Sequence, residues 1–270
     1  MQTESVWLGP MRAPVRMALI GVTVATLAMA IWLIGGHFLS AEGISMHEML
    51  RPEGRPQVQI MLWLMFLTLL LASLYLSDFI GSIEPAPTGP LDYLSLVCSR
   101  VAMIGVAGIV LVMFYEVVSR YVFEKPTLWA NELSLWIAAF VFLLAGLYAM
   151  QQRSHIRIYI IYNIMPRWMQ KASDVISVFL IWAFTFSLVW GAFNEAQQKF
   201  GRMETFGTAW DPPIPATVKP AILIIITLVA IQALSNLITD WKKHPEHHSP
   251  LDDVDETEIE NIRRTLEEKN

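Results

Sequence analysis

Six long stretches of this chain carry almost no charge, and each approaches the length of a bilayer. They are Met17–Ile34, Val58–Ser77, a longer run over Leu91–Phe123 whose cleanest part is Val101–Tyr115, Leu133–Met150, Val175–Phe193 and Pro220–Thr239. A helix needs about 20 predominantly apolar residues to cross the hydrocarbon layer. Only 16% of the 270 residues are charged, against about 25% in an average soluble domain. Ten Trp and seven Tyr suit a chain whose rings sit at headgroup level. The pattern predicts an all-α integral membrane protein with six transmembrane helices.

The first run exceeds the roughly 7–15 residues of a signal-peptide core, so it is read as a membrane helix. The alternative is a cleavable signal cut near Leu39-Ser40-Ala41. The segment GSIEPAPTGPLD over residues 81–92 concentrates Pro and Gly and reads as a linker. It divides the chain into a two-helix N-terminal membrane extension with its linker (1–90), a four-helix unit (91–243) and a polar, acidic C-terminal tail (244–270). In that tail Leu251, Val254, Ile259, Ile262 and Leu266 could line a short amphipathic helix. Between the fourth and fifth runs, Ser154–Asp174 mixes Ile, Tyr and Trp168 with Arg157, Arg167 and Lys171, as in a segment lying in the membrane interface.

Six crossings put both termini on one side. With that side cytoplasmic, twelve of the nineteen Lys and Arg are cytoplasmic, and the Arg153–Lys171 loop is the most lopsided. The positive-inside rule then places both termini in the cytoplasm and the connector at 120–132 outside.

That connector carries the one cluster of ionisable residues within the runs. Glu116 precedes Arg120 by four residues, the favourable order for an acid and a base on one helix face. Glu132 opens the next helix at a similar depth, which predicts a small cluster centred on Arg120. Two readings stay open: the cluster ties the hairpin together, or it leaves a carboxylate for a partner helix. A transport path needs several polar or broken-helix elements near the midplane, and the middles of the runs are plain. Gln232, Asn236 and Glu116 are the nearest candidates for one, so a self-sufficient small oligomeric transporter or channel is the alternative function.

Other chemistries find little support. Cys98 is the only cysteine, which excludes an internal disulfide and a cysteine metal cluster. His244, His247 and His248 sit around Pro245 in the tail and read as solvated. Catalytic triads, metal-binding His motifs and phosphate or dinucleotide loops do not occur in the sequence, and a basic stripe for nucleic acid is missing as well. The expectation is a non-enzyme without cofactor, metal or nucleic-acid partner.

At the hairpin the chain resembles a known family. The residues are Glu116, Arg120-Tyr121-Val122-Phe123, Pro126, Trp129, Glu132-Leu133, Gly146, His155-Ile156-Arg157 and Pro166. They are similar to the small integral membrane subunit, the DctQ type, of tripartite ATP-independent periplasmic (TRAP) transporters. The resemblance covers about residues 91–243 and matches a four-span layout. Asn131 and Tyr159 depart from it where the family often has acids, and the first two runs are an addition. The resemblance implies a subunit in the bacterial inner membrane beside a large multi-span permease, with a periplasmic binding protein delivering the substrate. It implies sodium-driven symport of an organic acid. The small subunit would brace the permease and help dock the binding protein. Glu116, Arg120, Tyr121, Trp129 and Glu132 are the candidate interface or hairpin residues, and His155 and Arg157 a cytoplasmic anchor.

Overall fold

The computed structural model describes residues 5–39, 44–50, 54–80, 84, 87–153, 162 and 165–241. Seven α-helices form: α1 (Arg12–Leu39), α2 (Met46–Leu50), α3 (Pro56–Ser77), α4 (Pro90–Tyr121), α5 (Ala130–Gln151), α6 (Arg167–Gly201) and α7 (Ile214–Asp240). A short 3-10 turn at Gly9–Met11 leads into α1. All but α2 are long and apolar enough to cross a membrane, which gives six candidate spans. Each corresponds to one of the six apolar runs, with α4 ending at Tyr121, two residues before the end of the third run.

Helix starts follow local chemistry. Pro56 and Pro90 open α3 and α4, where a missing N–H costs nothing and the fixed φ suits the helix. Two boundaries differ from the sequence reading. The expected interfacial segment is in part the first two turns of α6. There the buried Gln170 donates to the carbonyls of Tyr162 and Met165 at 3.0 and 3.1 Å. Residues 154–161 and 163–164 of that segment, with His155 and Arg157, lie outside the described residues, as does the tail beyond Trp241. The last helix begins at Ile214, so Pro220 stands inside it. Proline there removes one backbone bond, and the preceding turn is secured by Thr217, whose N–H reaches Pro213 O at 3.1 Å.

Consecutive spans alternate in direction. Both described chain ends fall on one face, the terminal face, with the connectors after α3 and α5. The connectors after α1, α4 and α6 form the opposite, loop face. The helices pack in an open row: α1 on α3, α3 on α4, α4 on α5, α5 on α7, and α7 on α6. The end helices α1 and α6 are the least buried. Apolar burial within the chain is correspondingly small among the described residues, with Val58, Leu96, Ala130, Leu147, Ala216 and Ala230 among the few side chains sealed from outside.

Polar joints hold the row at the terminal face. Asp78, just past α3, is fully buried, and its Oδ1 accepts from the Ser5 hydroxyl (2.8 Å) and the N–H groups of Trp7 and Leu8 (both 3.0 Å). Arg12 lies 3.4 Å from its other oxygen and over the Phe79 ring. The carboxylate therefore ties residues 5–8, which lead into the 3-10 turn and α1, to the end of α3. Burial pushes this carboxyl upward. The Trp7 and Leu8 amides, Ser5 and Arg12 together outweigh that and hold it below its ordinary value.

Arg100 of α4 is a second joint. Its guanidinium donates to Phe79 O at 2.8 Å and to both oxygens of Glu84 at 3.2 and 2.8 Å, while the Tyr148 hydroxyl of α5 donates to the same carboxylate. One buried cation thus joins the end of α3, the linker, α4 and α5. A third joint binds α4, α5 and α7. Gln232, 1% exposed, donates to Asp92 Oδ1 at 2.7 Å and Asn236 Oδ1 at 3.0 Å, and Asn236 donates to Met150 O at 2.7 Å. Ser95 donates to Leu147 O at 3.1 Å, and Arg153 pairs with Asp240.

Within the membrane the helices rely on close approach. Thr26 and Thr68 share a hydrogen bond of 2.8 Å between α1 and α3. Gly105 lets α4 reach α5: a Cβ there would lie 2.8 Å from Val141 Cγ2 and 3.4 Å from Ile137 Cγ2. Gly108, one turn on, has open space around it. Gly105→Val is expected to destabilise the chain by about 1–3 kcal/mol through overpacking, and Gly108→Val much less. Thermal unfolding of the two variants in the same detergent checks this, and equal behaviour would remove the close α4–α5 contact from the account.

Candidate functional site

The loop face gathers most of the sequence-selected residues. Glu116 lies in the penultimate turn of α4 and is 3% exposed. It accepts four hydrogen bonds. Arg120 donates Nε at 2.9 Å and Nη2 to Oε1, while Thr127 donates its backbone N–H at 2.9 Å and its hydroxyl to Oε2. A buried carboxylate is tolerable when its lone pairs are filled in this way. The centre of the cluster is therefore Glu116. Arg120, with about half of its side chain exposed, is the outer partner. The reason is the connector: it folds back so that Thr127 caps the carboxylate from the far side.

Glu132 does not join this pair. Its Oε2 accepts the Thr208 hydroxyl at 2.7 Å, from the connector after α6, and no ion pair links it to Arg120 among the described residues. The three-residue cluster expected from spacing is thus two separate contacts. Trp129 stacks on Tyr115 at 5.6 Å between ring centroids and so packs the start of α5 against α4. Tyr121, Val122, Phe123 and Leu128 point outward and are among the most exposed apolar residues. Lys125 N–H bonds Ser119 O and the Ser119 hydroxyl bonds Lys125 O, both at 2.9 Å, which closes the turn. Glu124 takes a left-handed φ of 55° there. The result is a fixed apolar tip beside a half-exposed cation.

The connector after α6 is the second part of the face. Lys219 pairs with Glu195, and Lys199 with both Glu195 and Glu204, so α6 and α7 are stapled above their apolar runs. Trp136 of α5 donates its indole N–H to Thr217 of α7 at 2.8 Å. Trp210 is buried and donates its indole N–H to Met46 O of α2 at 3.0 Å. Sequence reasoning missed Thr127, Thr208, Trp210 and Met46. Only Trp210 had a readable signal, a large aromatic ahead of Asp211-Pro212-Pro213 in a connector otherwise read as irregular. A hydroxyl that caps a carboxylate eleven residues away leaves no periodic trace.

No group of three His, Cys, Asp or Glu close enough to hold a metal occurs among the described residues. Gln232 and Asn236, the nearest candidates for a polar path, are both bonded within the terminal-face joint.

The clasp predicts an order of effects. Glu116→Ala frees both Arg120 and Thr127, Arg120→Ala frees only one side of the carboxylate, and Lys125→Ala leaves the clasp whole. Hydrogen exchange of the Thr127 amide is expected to speed up most in Glu116→Ala, by roughly tenfold or more for each ~1.4 kcal/mol of local stability lost. The increase should be smaller in Arg120→Ala and negligible in Lys125→Ala. Equal rates in the three variants would contradict the clasp.

No curated protein sequence matches the chain. A family model does match: "Tripartite ATP-independent periplasmic transporters, DctQ component", over residues 109–243. The match begins inside α4 and takes in the Glu116 clasp, both loop-face connectors that follow it and all of α5, α6 and α7. The helices before it stand outside the matched region. The chain is a multi-pass membrane protein and a non-catalytic transporter component, and it belongs to the DctQ family of tripartite ATP-independent periplasmic transporters.

Proposed function

We propose that this chain is the small membrane subunit of a three-component, secondary active uptake system in a bacterial inner membrane. It braces the static part of a large multi-span permease subunit. Residues 91–243 act as the four-helix family unit and residues 1–90 as an extension of the same row. Both termini are cytoplasmic, so the loop face looks outward, as the excess of basic residues on the terminal side suggests. A soluble periplasmic binding protein brings the substrate to that outer face. The import is a sodium-driven symport, and the cargo is an organic acid.

The observation that carries this reading is the open row itself. Such a row leaves two broad apolar faces uncovered, and the ends of its helices are tied by buried polar joints. It has the form of a brace. The polar groups nearest a transport path, Gln232, Asn236 and Glu116, are committed to internal hydrogen bonds. Moving a charged substrate through the chain alone would break those joints. The face beside α4 displays Met103, Val106, Val110, Phe114, Val117 and Tyr121, all exposed and spaced by three or four residues. A stripe with that period suits a partner helix.

The test is gentle extraction of the tagged full chain from its own host. A large, very hydrophobic protein should co-purify at a fixed ratio, and uptake by reconstituted vesicles should need both. A chain that purifies alone and transports by itself would support the small oligomeric transporter or channel and end the scaffold reading.

A further inference from the structure

Arg16 differs from the other described cations of the terminal face, each of which has a partner in the chain. Arg12 lies 3.4 Å from Asp78, Arg100 pairs with Glu84 and Arg153 with Asp240. Arg167 donates to Gln170 Oε1 at 3.2 Å, and Lys171 sits over the Trp241 ring, 4.8 Å from its centroid. Arg16 is exposed and has no hydrogen-bond or ion-pair partner among the described residues. Asp78, the carboxylate packed at this end of α1, is fully buried and already engaged by Ser5, Trp7, Leu8 and Arg12. The charge on Arg16 is therefore left for something outside the described chain to neutralise.

Its place in the helix decides what can do so. Arg16 lies in the early turns of α1, directly before the uncharged run that starts at Met17. Helical side chains lean toward the N-terminus, which here is the terminal surface. The aliphatic stem of Arg16 can thus lie on apolar surface while its guanidinium rises to headgroup level. Trp7, partly exposed and 5.6 Å from Tyr93 between ring centroids, stands at the same end of the helix, where an interfacial ring belongs. Ile20, Val24, Leu27 and Ile31 follow Arg16 at offsets of four, eight, eleven and fifteen residues, which keep them on its face of the helix. All four are exposed. The stripe runs roughly 22 Å from Arg16 to Ile31 at about 1.5 Å per residue, enough to line one leaflet of a hydrocarbon layer about 30 Å thick. The side of α1 that carries Thr26 packs on α3. What remains uncovered is a free cation at headgroup level above an apolar track.

We propose that this face of α1 binds an anionic phospholipid, with one phosphate at Arg16 and an acyl chain along Ile20, Val24, Leu27 and Ile31. The guanidinium offers paired N–H donors that suit phosphate oxygens. The headgroup carries net negative charge, because no free carboxylate among the described residues stands beside Arg16 to take a lipid's ammonium. A phospholipid brings the anion and the apolar chain in one molecule and reaches the site from the bilayer itself. The site lies on the N-terminal extension, outside the matched residues 109–243. It needs only the membrane, so it stands or falls apart from the permease and the binding protein.

Native mass spectrometry of the full chain, released from detergent, reads bound lipid directly. On titration with phosphatidylglycerol and, separately, phosphatidylcholine, the unaltered chain should bind one phosphatidylglycerol in preference. Arg16→Gln should weaken that binding by roughly fivefold, the effect of one cation at an anionic surface, and Arg16→Lys should keep most of it. Arg16 is exposed and unbonded, so Arg16→Gln leaves every described contact of the fold in place. Lys125→Gln removes an exposed cation from the opposite face and should change nothing. A photoreactive residue at Ile20, activated in the host membrane, should yield adducts with phospholipid. Equal affinity for the two lipids, or an equal loss in Arg16→Gln and Lys125→Gln, would overturn the site. So would a protein adduct at Ile20 in place of a lipid one, since it would put a partner helix or a second copy of the chain on this face.

Discussion

In hydrocarbon, an apolar side chain gains little by leaving lipid for a neighbouring helix. Six apolar helices therefore need some other reason to stay in register. Here it is the buried polar joint at the helix ends. Asp78 ties the segment that leads into α1 to the end of α3, Arg100 gathers the ends of α3 and α5 through Glu84, and Gln232 with Asn236 binds α7 to α4 and α5. On the other face, Glu116 closes the α4–α5 hairpin and Glu132, Glu195 and Trp210 hold the α6–α7 connector. The joints at Asp78, Arg100, Gln232 and Glu116 sit at buried polar side chains, which need partners within the protein, whereas the Glu132 and Glu195 contacts are open to the outside. Removing one partner leaves the other stranded, which makes these contacts matter more than their number suggests.

The row follows from where the joints are. They link α1 to α3, α3 to α4, α4 to α5, α5 to α7 and α7 to α6, and at the loop face the Trp210–Met46 bond ties α2 to the α6–α7 connector. Between the joints, packing depends on a few close approaches such as Gly105 against Val141. The broad faces of the row remain apolar and uncovered. A subunit that stands against a larger membrane protein has use for such faces, and a chain that carried substrate by itself would need a polar interior instead.

Much of the architecture was legible in the residues. Six apolar runs named six helices. The Glu116–Arg120 spacing announced an ion pair on one face. What could not be read was pairing across long sequence distances. Arg100 looked like one more cytoplasmic charge, yet its guanidinium joins Phe79 O and both oxygens of Glu84. Asp78 looked like the polar end of a run, and nothing local says that residues 5–8 will return to cap it. Glu132 had the right depth to meet Arg120. The connector after α6 supplies Thr208 instead, and loop paths leave no periodic signal. Pro220 reads as standing near a helix start, where its missing N–H is harmless, but the helix begins at Ile214 and its first turns are secured by the Glu195–Lys219 staple and by Trp136 on Thr217.

The central claim is the open row, and a distance across its ends tests it most directly. Spin labels at Val24 of α1 and Phe186 of α6, both exposed near mid-span, are separated by four intervening helices in the row. With about 8–10 Å between neighbouring axes, a Cys98-free double-labelled chain in lipid nanodiscs should give a distance of roughly 30–50 Å. A single short distance of about 10–20 Å would mean that α1 and α6 close into a ring, and would contradict the account.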